Sequence, residues 1–371
     1  MRKGWEYKRW KEVLTIINGK NQSAVVDENG EYPIYGSGGI MGYANNWLCP
    51  ENCVIIGRKG NINKPIFVET KFWNVDTAFG LNANKEYLLP KFLYYFCLDY
   101  NFERHNKAVT IPSLTKVDLL KIDIPLPPKS TQLAIVTELD KINELIRLKK
   151  EQLKDFDNLA QSLFYEMFGD PVENEKGWEV HLLKTLCTKI GSGATPKGGS
   201  KSYKKEGTSL IRSLNIHNNE FKFKDLAYID DDQADSLNNV IVQENDVLLN
   251  ITGASVARCC IVPTEVLPAR VNQHVCILRH GNLIDAKYLN RLLTNGNYQQ
   301  LLQRLAKSKA ATREALPKSI VDKLSIPLPP LSLQRLFAQR IEQIEREKSE
   351  VQKSIQDLET LLASRMQYWF E

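Results

Sequence analysis

Hydrophobic residues recur every three or four positions in two long, charged segments of this chain, roughly Pro128–Phe168 and Leu331–Phe370. Such spacing over several heptads forms a narrow apolar seam, which is typical of coiled-coil helices. The seam positions are Ile135, Leu139, Ile142, Ile146, Leu153, Phe156, Ala160, Leu163 and Met167 in the first segment, and Phe337, Ile341, Ile344, Val351, Ile355, Leu358, Leu362 and Trp369 in the second.

Both helical segments follow the same word, IPLPP, which occupies Ile124–Pro128 and Ile326–Pro330, 202 positions apart. A proline pair pushes the residue before it out of helical conformation and is tolerated in the first turn of a helix. Each word therefore predicts the end of one element and the start of a long helix, with Ser130 and Ser332 as N-caps.

The N-terminal ends of the two halves also match, because the motif GWE at Gly4–Glu6 recurs at Gly177–Glu179. The second half carries about 29 more residues between its GWE and its IPLPP. A period this long is far beyond that of solenoid repeats, so it indicates a duplicated domain with similar ends and dissimilar interiors.

Each interior combines short β-branched runs, such as NCVIIGRKGN and NDVLLNITGAS, with one short helical pattern, LPKFLYYFCLDY or IDAKYLNRLLTN. We expect an α/β (α+β) protein with two globular domains separated by two long antiparallel coiled-coil helices and related by a pseudo-twofold axis. At 1.5 Å per residue, helices of about 40 residues span about 60 Å. The alternative is that each helix packs within its own domain or on another protein. The predicted boundaries are 1–128 and 171–330 for the domains, and 129–170 and 331–371 for the helices.

The composition is that of a soluble globular protein of two domains, with 371 residues and 43% hydrophobic residues. A net charge of +5, from 49 basic and 44 acidic residues, permits a polyanionic partner without requiring one. The start, MRKGWEYKRW, lacks the apolar core of a signal peptide, and no apolar run approaches 20 residues. The seven irregularly spaced cysteines predict free thiols. We therefore expect a cytoplasmic protein without a membrane partner.

Sequence motifs for catalysis are not recognisable. GSGGIMG at Gly36–Gly42 misses the dinucleotide-binding spacing by one residue, and no phosphate-binding P-loop occurs. Glu69–Lys71 has the E-x-K form of nucleases, but a triplet of this kind is expected by chance in so charged a chain. The D/N-P-P-aromatic tetrad of amino-methyltransferases is missing, and the five histidines show no ligand spacing. We predict a non-catalytic protein with no metal site and no cofactor of its own.

The interiors instead carry glycine-containing loops rich in basic and amide side chains. Lys and Arg neutralise phosphates, whereas Arg on guanine and Asn or Gln on adenine read base edges in the major groove. For a single residue, a solvated turn is the simpler interpretation; for the clusters together, DNA is favoured. The predicted DNA-binding residues are Ser37, Arg58, Lys59, Asn61, Asn63, Lys64, Lys197, Lys201, Lys204, Lys205, Arg212, Asn215, Ser255, Arg270, Asn272, Gln273 and His274.

The chain resembles the specificity (S) subunits of Type I restriction-modification enzymes. The resemblance covers essentially the whole length. It is carried by the repeated GWE, by YPIYGSGGIMGY followed by IIGRKGNINKP, by LLNITGASVARCCIV with VNQHV, and by the two IPLPP words leading into heptad helices.

The resemblance implies a non-catalytic subunit whose two target-recognition domains each bind one part of a split, asymmetric double-stranded DNA sequence. The helices would set the spacing between these parts and dock two methyltransferase (M) subunits and, through them, two restriction (R) subunits. S-adenosylmethionine, ATP and Mg are then expected on the partner subunits. The sequence does not indicate which bases are read.

Two other functions remain open at this point. The chain could be a methyltransferase or nuclease with an unrecognised site, in which case it would transfer methyl groups to DNA when purified alone. It could also be a coiled-coil scaffold whose domains bind protein, in which case footprinting would show no split DNA site.

Overall fold

The computed structural model describes residues 4–106, 112–196, 198–308 and 314–370. The chain divides into two compact units. Unit 1 comprises Met1–Glu151 with Gln352–Glu371, and unit 2 comprises Gln152–Val351. Each unit therefore contains a part of both long helices.

Unit 1 begins with nine short strands and three helices. They are β1 Glu6–Arg9, α1 Trp10–Val13, β2 Leu14–Asn18, β3 Tyr32–Gly36, β4 Gly39–Ala44, β5 Cys53–Gly57, β6 Ile66–Val68, β7 Trp73–Asn74, β8 Ala78–Ala83, α2 Pro90–Asp99, α3 Lys116–Leu119 and β9 Asp123–Leu126. The first long helix follows as α4, Lys129–Phe168.

Unit 2 has a similar series with extra elements in its interior. They are β10 Val180–Leu182, α5 Leu183–Leu186, β11 Cys187–Ser192, β12 Thr208–Ile211, β13 Ile216–His217, β14 Glu220–Phe221, β15 Ala227–Ile229, α6 Asp231–Asp235, β16 Val247–Asn250, β17 Cys259–Ile261, β18 Ala269–Val271, β19 Val275–His280, α7 Ala286–Leu293, α8 Gly296–Lys307, α9 Lys318–Val321 and β20 Ser325–Pro327. The second long helix is α10, Leu331–Phe370. Short 3₁₀ turns in the two units lie at Phe102–His105, Gly199–Ser202, Ser213–Asn215, Asn238–Val240, Gly253–Ser255 and Thr264–Val266.

The sheets of the two units have the same topology. Unit 1 contains an antiparallel sheet in the order β2-β8-β5-β6, and unit 2 contains one in the order β11-β19-β16-β17. A three-stranded sheet with one parallel pair accompanies each: β4-β3-β7 in unit 1 and β15-β12-β18 in unit 2. A two-stranded ribbon, β1-β9 or β10-β20, pairs the start of each half with its IPLPP word. The matching strand order shows that the sequence repeat is a duplicated fold.

The buried strands explain the β-branched runs of the sequence. All five residues of β5 are buried, as is every residue of β16. β-Branched side chains fit a sheet that is covered on both faces. In unit 1 this sheet packs under α2, which begins at Pro90 with the proline in its first turn.

In unit 1, the first part of α4 runs antiparallel to the last part of α10. Ile135 and Leu139 of α4 are fully buried, and Leu362 and Trp369 of α10 pack against the same core. The antiparallel direction follows from two ion pairs across the helices: Glu138 with Arg365, and Lys150 with Glu359.

In unit 2, the last part of α4 runs antiparallel to the first part of α10. Phe164 and Phe168 of α4 contact Phe337 of α10, with ring centroids 5.7 and 5.1 Å apart. Asp157 pairs with Lys348, which occupies the seam position between Ile344 and Val351 in place of an apolar residue. The charge of this lysine is therefore compensated by a carboxylate of the other helix within the same unit.

Prolines, rather than serines, cap the long helices. The carbonyl of Pro128 accepts hydrogen bonds from the backbone of Thr131 and Gln132, and Pro330 does the same for the second helix. Ser130 and Ser332 lie one residue inside the helices, so the prediction that they are N-caps is wrong. Pro128 and Pro330 immediately precede the first helical residues, Lys129 and Leu331, and so occupy the N-cap position.

The predicted fold class is confirmed: the structure is mixed α/β with two units and two long helices that pair antiparallel within each unit. The unit boundaries fall inside α4 and α10, so that each unit takes one half of each helix. The division into residues 1–128, 129–170, 171–330 and 331–371 remains a prediction.

Candidate DNA interface

Three loops meet at one end of the four-stranded sheet in unit 2. Because β11 and β16 both run antiparallel to the central strand β19, their ends lie beside its start. The backbone N–H of Gly193 donates to the carbonyl of Asn272 at 3.1 Å, and that of Ile251 donates to the carbonyl of His274 at 3.0 Å. The topology thus brings the segment after β11, the ITGAS segment and the VNQH segment together.

Side chains connect these three loops on the surface. The hydroxyl of Thr195 hydrogen-bonds with Oε1 of Gln273. Nε2 of Gln273 lies 3.2 Å from Nε2 of His274, and Nδ1 of His274 lies 2.6 Å from the Thr252 hydroxyl. Gln273 is exposed, whereas His274 and Thr252 are half-buried. Ser255 is also half-buried and ends the 3₁₀ turn after Thr252.

Three of the predicted residues in unit 2 serve the internal framework. Arg270 is 8% exposed, and its guanidinium donates to the carbonyls of Ala234 and Ala269 and to Oδ1 of Asn238. Asn215 is fully buried and ties its loop to the carbonyl of Lys222 at 2.9 Å. Asn272 is 5% exposed, and its Oδ1 accepts from the backbone of His274 at 3.0 Å. These side chains shape the loops from inside.

The lysine-rich loop of unit 2 follows Thr195. Lys201, Lys204 and Lys205 are exposed, and Lys197 lies outside the described residues. The ammonium of Lys204 is 3.1 Å from Asp230. The pKa of Asp230 is lowered, first by the hydrogen bond from the backbone of Gln233 and then by Lys204.

Arg212 lies beside this lysine-rich loop. Its guanidinium is 5.2 Å from the ring centroid of Tyr203 and donates to the carbonyl of Asp225. Stacking on an aromatic ring holds the cation in place without neutralising it.

Unit 1 repeats this arrangement with different side chains. The ends of β2 and β5 lie beside the start of β8, since both strands run antiparallel to it. The backbone N–H groups of Arg58 and Lys59 donate to the carbonyl of Thr77 at 2.8 and 3.3 Å. Arg58, Lys59, Asn61 and Lys64 are exposed on the loop after β5.

The turn between β3 and β4 lies against the same loop. A side-chain carbon added at Gly38 would be 3.8 Å from the amide nitrogen of Asn61, and one added at Gly60 would be 4.0 Å from the Ser37 hydroxyl. Asn63, on the same loop, holds the loop to the rest of the unit, because its Oδ1 accepts a hydrogen bond from the backbone N–H of Phe102 at 2.8 Å. Ser37, Lys59 and Asn61 are thus brought together from distant parts of the sequence.

Several residues that the sequence analysis missed also belong to this edge of the sheets. In unit 1, Asp76 and Thr77 precede β8 as Gln273 and His274 precede β19 in unit 2. Thr195 and Thr252 were missed as well, because threonine has no distinctive signal in a loop. The available signal was positional: VDT before AFGL and NQH before VCIL each precede a buried strand in the same place of the repeat.

The described part of the chain contains no group of three or more His, Cys, Asp or Glu side chains that could hold a metal ion. Within the same residues, no helix has the length and hydrophobicity needed to cross a membrane. The surface formed by the loops offers cations, amides and hydroxyl groups, which suit recognition of phosphates and base edges.

The sequence profile of one protein family, the Type I restriction modification DNA specificity domain, matches residues 2–155 and again residues 175–360. The chain belongs to this family. The two matches coincide with the two halves of the duplicated fold, so each half corresponds to one specificity domain.

Relatives and solved structures agree with this assignment. The chain is 22% identical over 394 aligned positions to the Type I restriction enzyme MjaVIII specificity subunit of Methanocaldococcus jannaschii, and the alignment covers 96% of this chain and 92% of the relative. Its fold is similar to the Type I restriction-modification S subunit from M. genitalium, with a TM-score of 0.63, 15% identity and coverage of 99% and 96% of the two chains.

A second similar structure comes from work on complex assembly and conformational transition of the Type I restriction-modification system. It has a TM-score of 0.62 and 19% identity, and the match covers 99% of this chain and 97% of that one. At these identities the structural matches establish the fold.

Proposed function

We propose that this chain is the DNA-sequence specificity subunit of a Type I restriction-modification complex, in which each unit reads one part of a split DNA site. The observation that carries this proposal is the duplicated fold with dissimilar loops. Matching strands support Arg58, Lys59 and Asn61 in unit 1, but Thr195, Gln273 and Ser255 in unit 2. Different side chains on the same scaffold suit two different half-sites.

The long helices would set the distance between the half-sites. Each has 40 residues, which corresponds to about 60 Å at 1.5 Å per residue. One turn of DNA rises about 34 Å, so a helix of this length matches one to two turns of duplex. The continuous hydrogen bonding of a helix makes it a stiff spacer.

The helices also present surfaces to which methyltransferase subunits could dock. Leu133, Leu145 and Leu159 of α4 and Leu336 of α10 remain between 43% and 58% exposed. In this proposal the two methyltransferase subunits carry S-adenosylmethionine, and the two restriction subunits that join through them use ATP and Mg. This chain contributes recognition and no catalytic group.

Genome-wide mapping of methylated adenine tests the proposal. A host that carries this gene together with its methyltransferase partner should show a split motif, with two short specified parts and a constant gap. Deleting this gene alone should abolish methylation at that motif. Methylation that persists without this chain, or a single undivided motif, would contradict the proposal. Methyl transfer by the purified chain alone would favour an enzyme instead.

A further inference from the structure

Gln273 differs from the other amide residues predicted to bind DNA in unit 2 in being both exposed and fixed. Asn215 and Asn272 are buried and hold backbone groups. Gln273 stands at the start of β19, where its amide extends from the loop, and both ends of this amide have a side-chain partner. An exposed glutamine normally rotates freely, and ordering such a side chain costs conformational entropy.

The partners of Gln273 constrain its hydrogen bonds. An amide nitrogen can only donate, so Nε2 of Gln273 donates to Nε2 of His274, which therefore carries no proton. The proton of this neutral imidazole then lies on Nδ1 and faces the hydroxyl oxygen of Thr252 at 2.6 Å. On the other side, the Thr195 hydroxyl donates to Oε1 of Gln273.

Half of the hydrogen-bonding capacity of the amide remains available. A glutamine amide has two N–H groups and two acceptor lone pairs. After the bonds to His274 and Thr195, one N–H and one lone pair are left on this exposed amide. This pair matches adenine in the major groove, which presents the N7 acceptor next to the N6 amino donor. Guanine presents two acceptors there, and only the adenine edge accepts and donates at once.

We propose that Gln273 is a specificity-determining residue that reads one adenine of the half-site bound by unit 2, and that Thr195 and His274 are positioning residues for its amide. The inference rests on the proposed function and goes beyond it by naming the residue and the base. Prior ordering makes the contact more selective, because the amide loses little further freedom on binding.

The charges around the amide suit a DNA backbone. Thr195 leads directly into the loop with the exposed Lys201, Lys204 and Lys205. Cations on neighbouring phosphates fix the register of a protein on the duplex, and base contacts then supply the sequence preference. The basic loop and the amide would therefore perform the two parts of recognition next to each other.

Selection from a randomised duplex library tests the inference, with the complete complex of S and methyltransferase subunits as the binding protein. Three versions of the S subunit are compared: the natural chain, Gln273→Glu and Gln273→Met. Glutamate keeps the shape but offers only acceptors, and methionine keeps the length without hydrogen-bonding atoms. We expect both variants to lose adenine preference at one position of one half-site by roughly 5- to 150-fold, the range of a good bidentate contact. The other half-site should be unchanged.

Two further variants separate recognition from loop support. Thr195→Val leaves Gln273 in place but frees its amide, so the preference should weaken at the same position and at no other. Gln243→Glu alters another exposed glutamine of unit 2 and should leave both half-sites unchanged.

If the natural chain selects no split motif, the proposed function itself fails. If it selects one, but both Gln273 variants keep the same base preferences, Gln273 serves only to connect the loops and the inference is overturned. A change at several positions of both half-sites would overturn it as well, since that pattern indicates a general loss of structure.

Discussion

Gln132 accepts a hydrogen bond from the backbone of Leu89 at 2.9 Å, and it is fully buried at the point where α4 meets α2. Its amide nitrogen donates to the carbonyls of Tyr87 and Pro127 at 2.9 and 3.0 Å. Gln334 makes the same three contacts in unit 2, with the backbone of Asp285, Leu283 and Pro329. The glutamine that follows each IPLPP word is therefore a clamp between a long helix and its domain.

Replacing the clamp should destabilise the protein. Gln132→Leu would leave one buried N–H and two buried carbonyls without a partner, at a cost of about 1–3 kcal/mol for each unsatisfied group. We expect the free energy of unfolding to fall by roughly 2 kcal/mol or more, measured by urea denaturation. Gln303→Leu, at an exposed position of α8, is the matched control and should change little. Equal stability of the two variants would show that the clamp carries no net stability.

Lowering the pH should weaken the packing of the C-terminal end of α10 against α4 in unit 1. Arg365 holds Glu138 through two hydrogen bonds and lowers the pKa of this carboxyl below its ordinary value near 4.5, and Trp369 adds a hydrogen bond at 2.9 Å. A carboxyl whose pKa is depressed in the folded state stabilises the protein above its unfolded pKa, and this stabilisation is lost as pH falls through the folded value.

At neutral pH the urea midpoint of the natural chain should therefore be higher than that of Glu138→Gln. The difference between the two midpoints should shrink as pH falls below about 4.5. Urea titrations of both proteins at several pH values measure this difference. Glu86→Gln, at an exposed loop position, should show no such convergence. A difference that stays constant down to pH 3 would contradict the assigned role of the ion pair.

The thiols should be unreactive until the protein unfolds. All seven cysteines are free, six are buried and Cys187 is half-buried. Burial raises the pKa of Cys53, Cys187, Cys260 and Cys276 to about 12, so little reactive thiolate is present near pH 8. Ellman's reagent should react slowly with the native protein and should count seven thiols in urea. Rapid reaction of several thiols in the native state would contradict this burial.

The lysine-rich loop should bind DNA without regard to sequence. Replacing Lys197, Lys201, Lys204 and Lys205 by alanine in the assembled complex should weaken binding to all duplexes. The dependence of log affinity on log salt should become shallower by about 0.9 for each lysine that contacts a phosphate. Replacing Lys184 of α5 and Lys323, which precedes β20, should leave the slope unchanged, since both lysines are exposed but lie outside the loop. An unchanged slope in the first variant would show that the loop is only a solvated turn.

Local patterns predicted the framework of this protein well. The seam residues Ile135, Leu139 and Ile341 are buried because helical periodicity depends on neighbours three and four residues away. The duplication was visible as repeated words. The helix caps were predicted wrongly, since Pro128 and Pro330, not Ser130 and Ser332, precede the first helical residues.

The surface depends on contacts between distant residues and was harder to predict. Arg270 and Gln273 stand three positions apart, yet one is buried in β18 and the other is exposed in the following loop. Only the strand pairing of β11 and β16 with β19 explains why Thr195, Thr252 and Gln273 meet. Composition alone cannot separate a basic or amide side chain that supports a loop from one that faces a ligand.

The most direct test of the central claim is the spacing of the recognised half-sites after both long helices are shortened. Deleting four residues from α4 and a matched four from α10 removes about 6 Å, slightly more than one helical turn, so the apolar seam is rotated by only about 40°. Methylation mapping with the assembled complex should then show the same two half-sites with a shorter gap, or no methylation if the geometry cannot adjust. The same half-sites at the original gap with full activity would contradict the claim that the helices set the spacing.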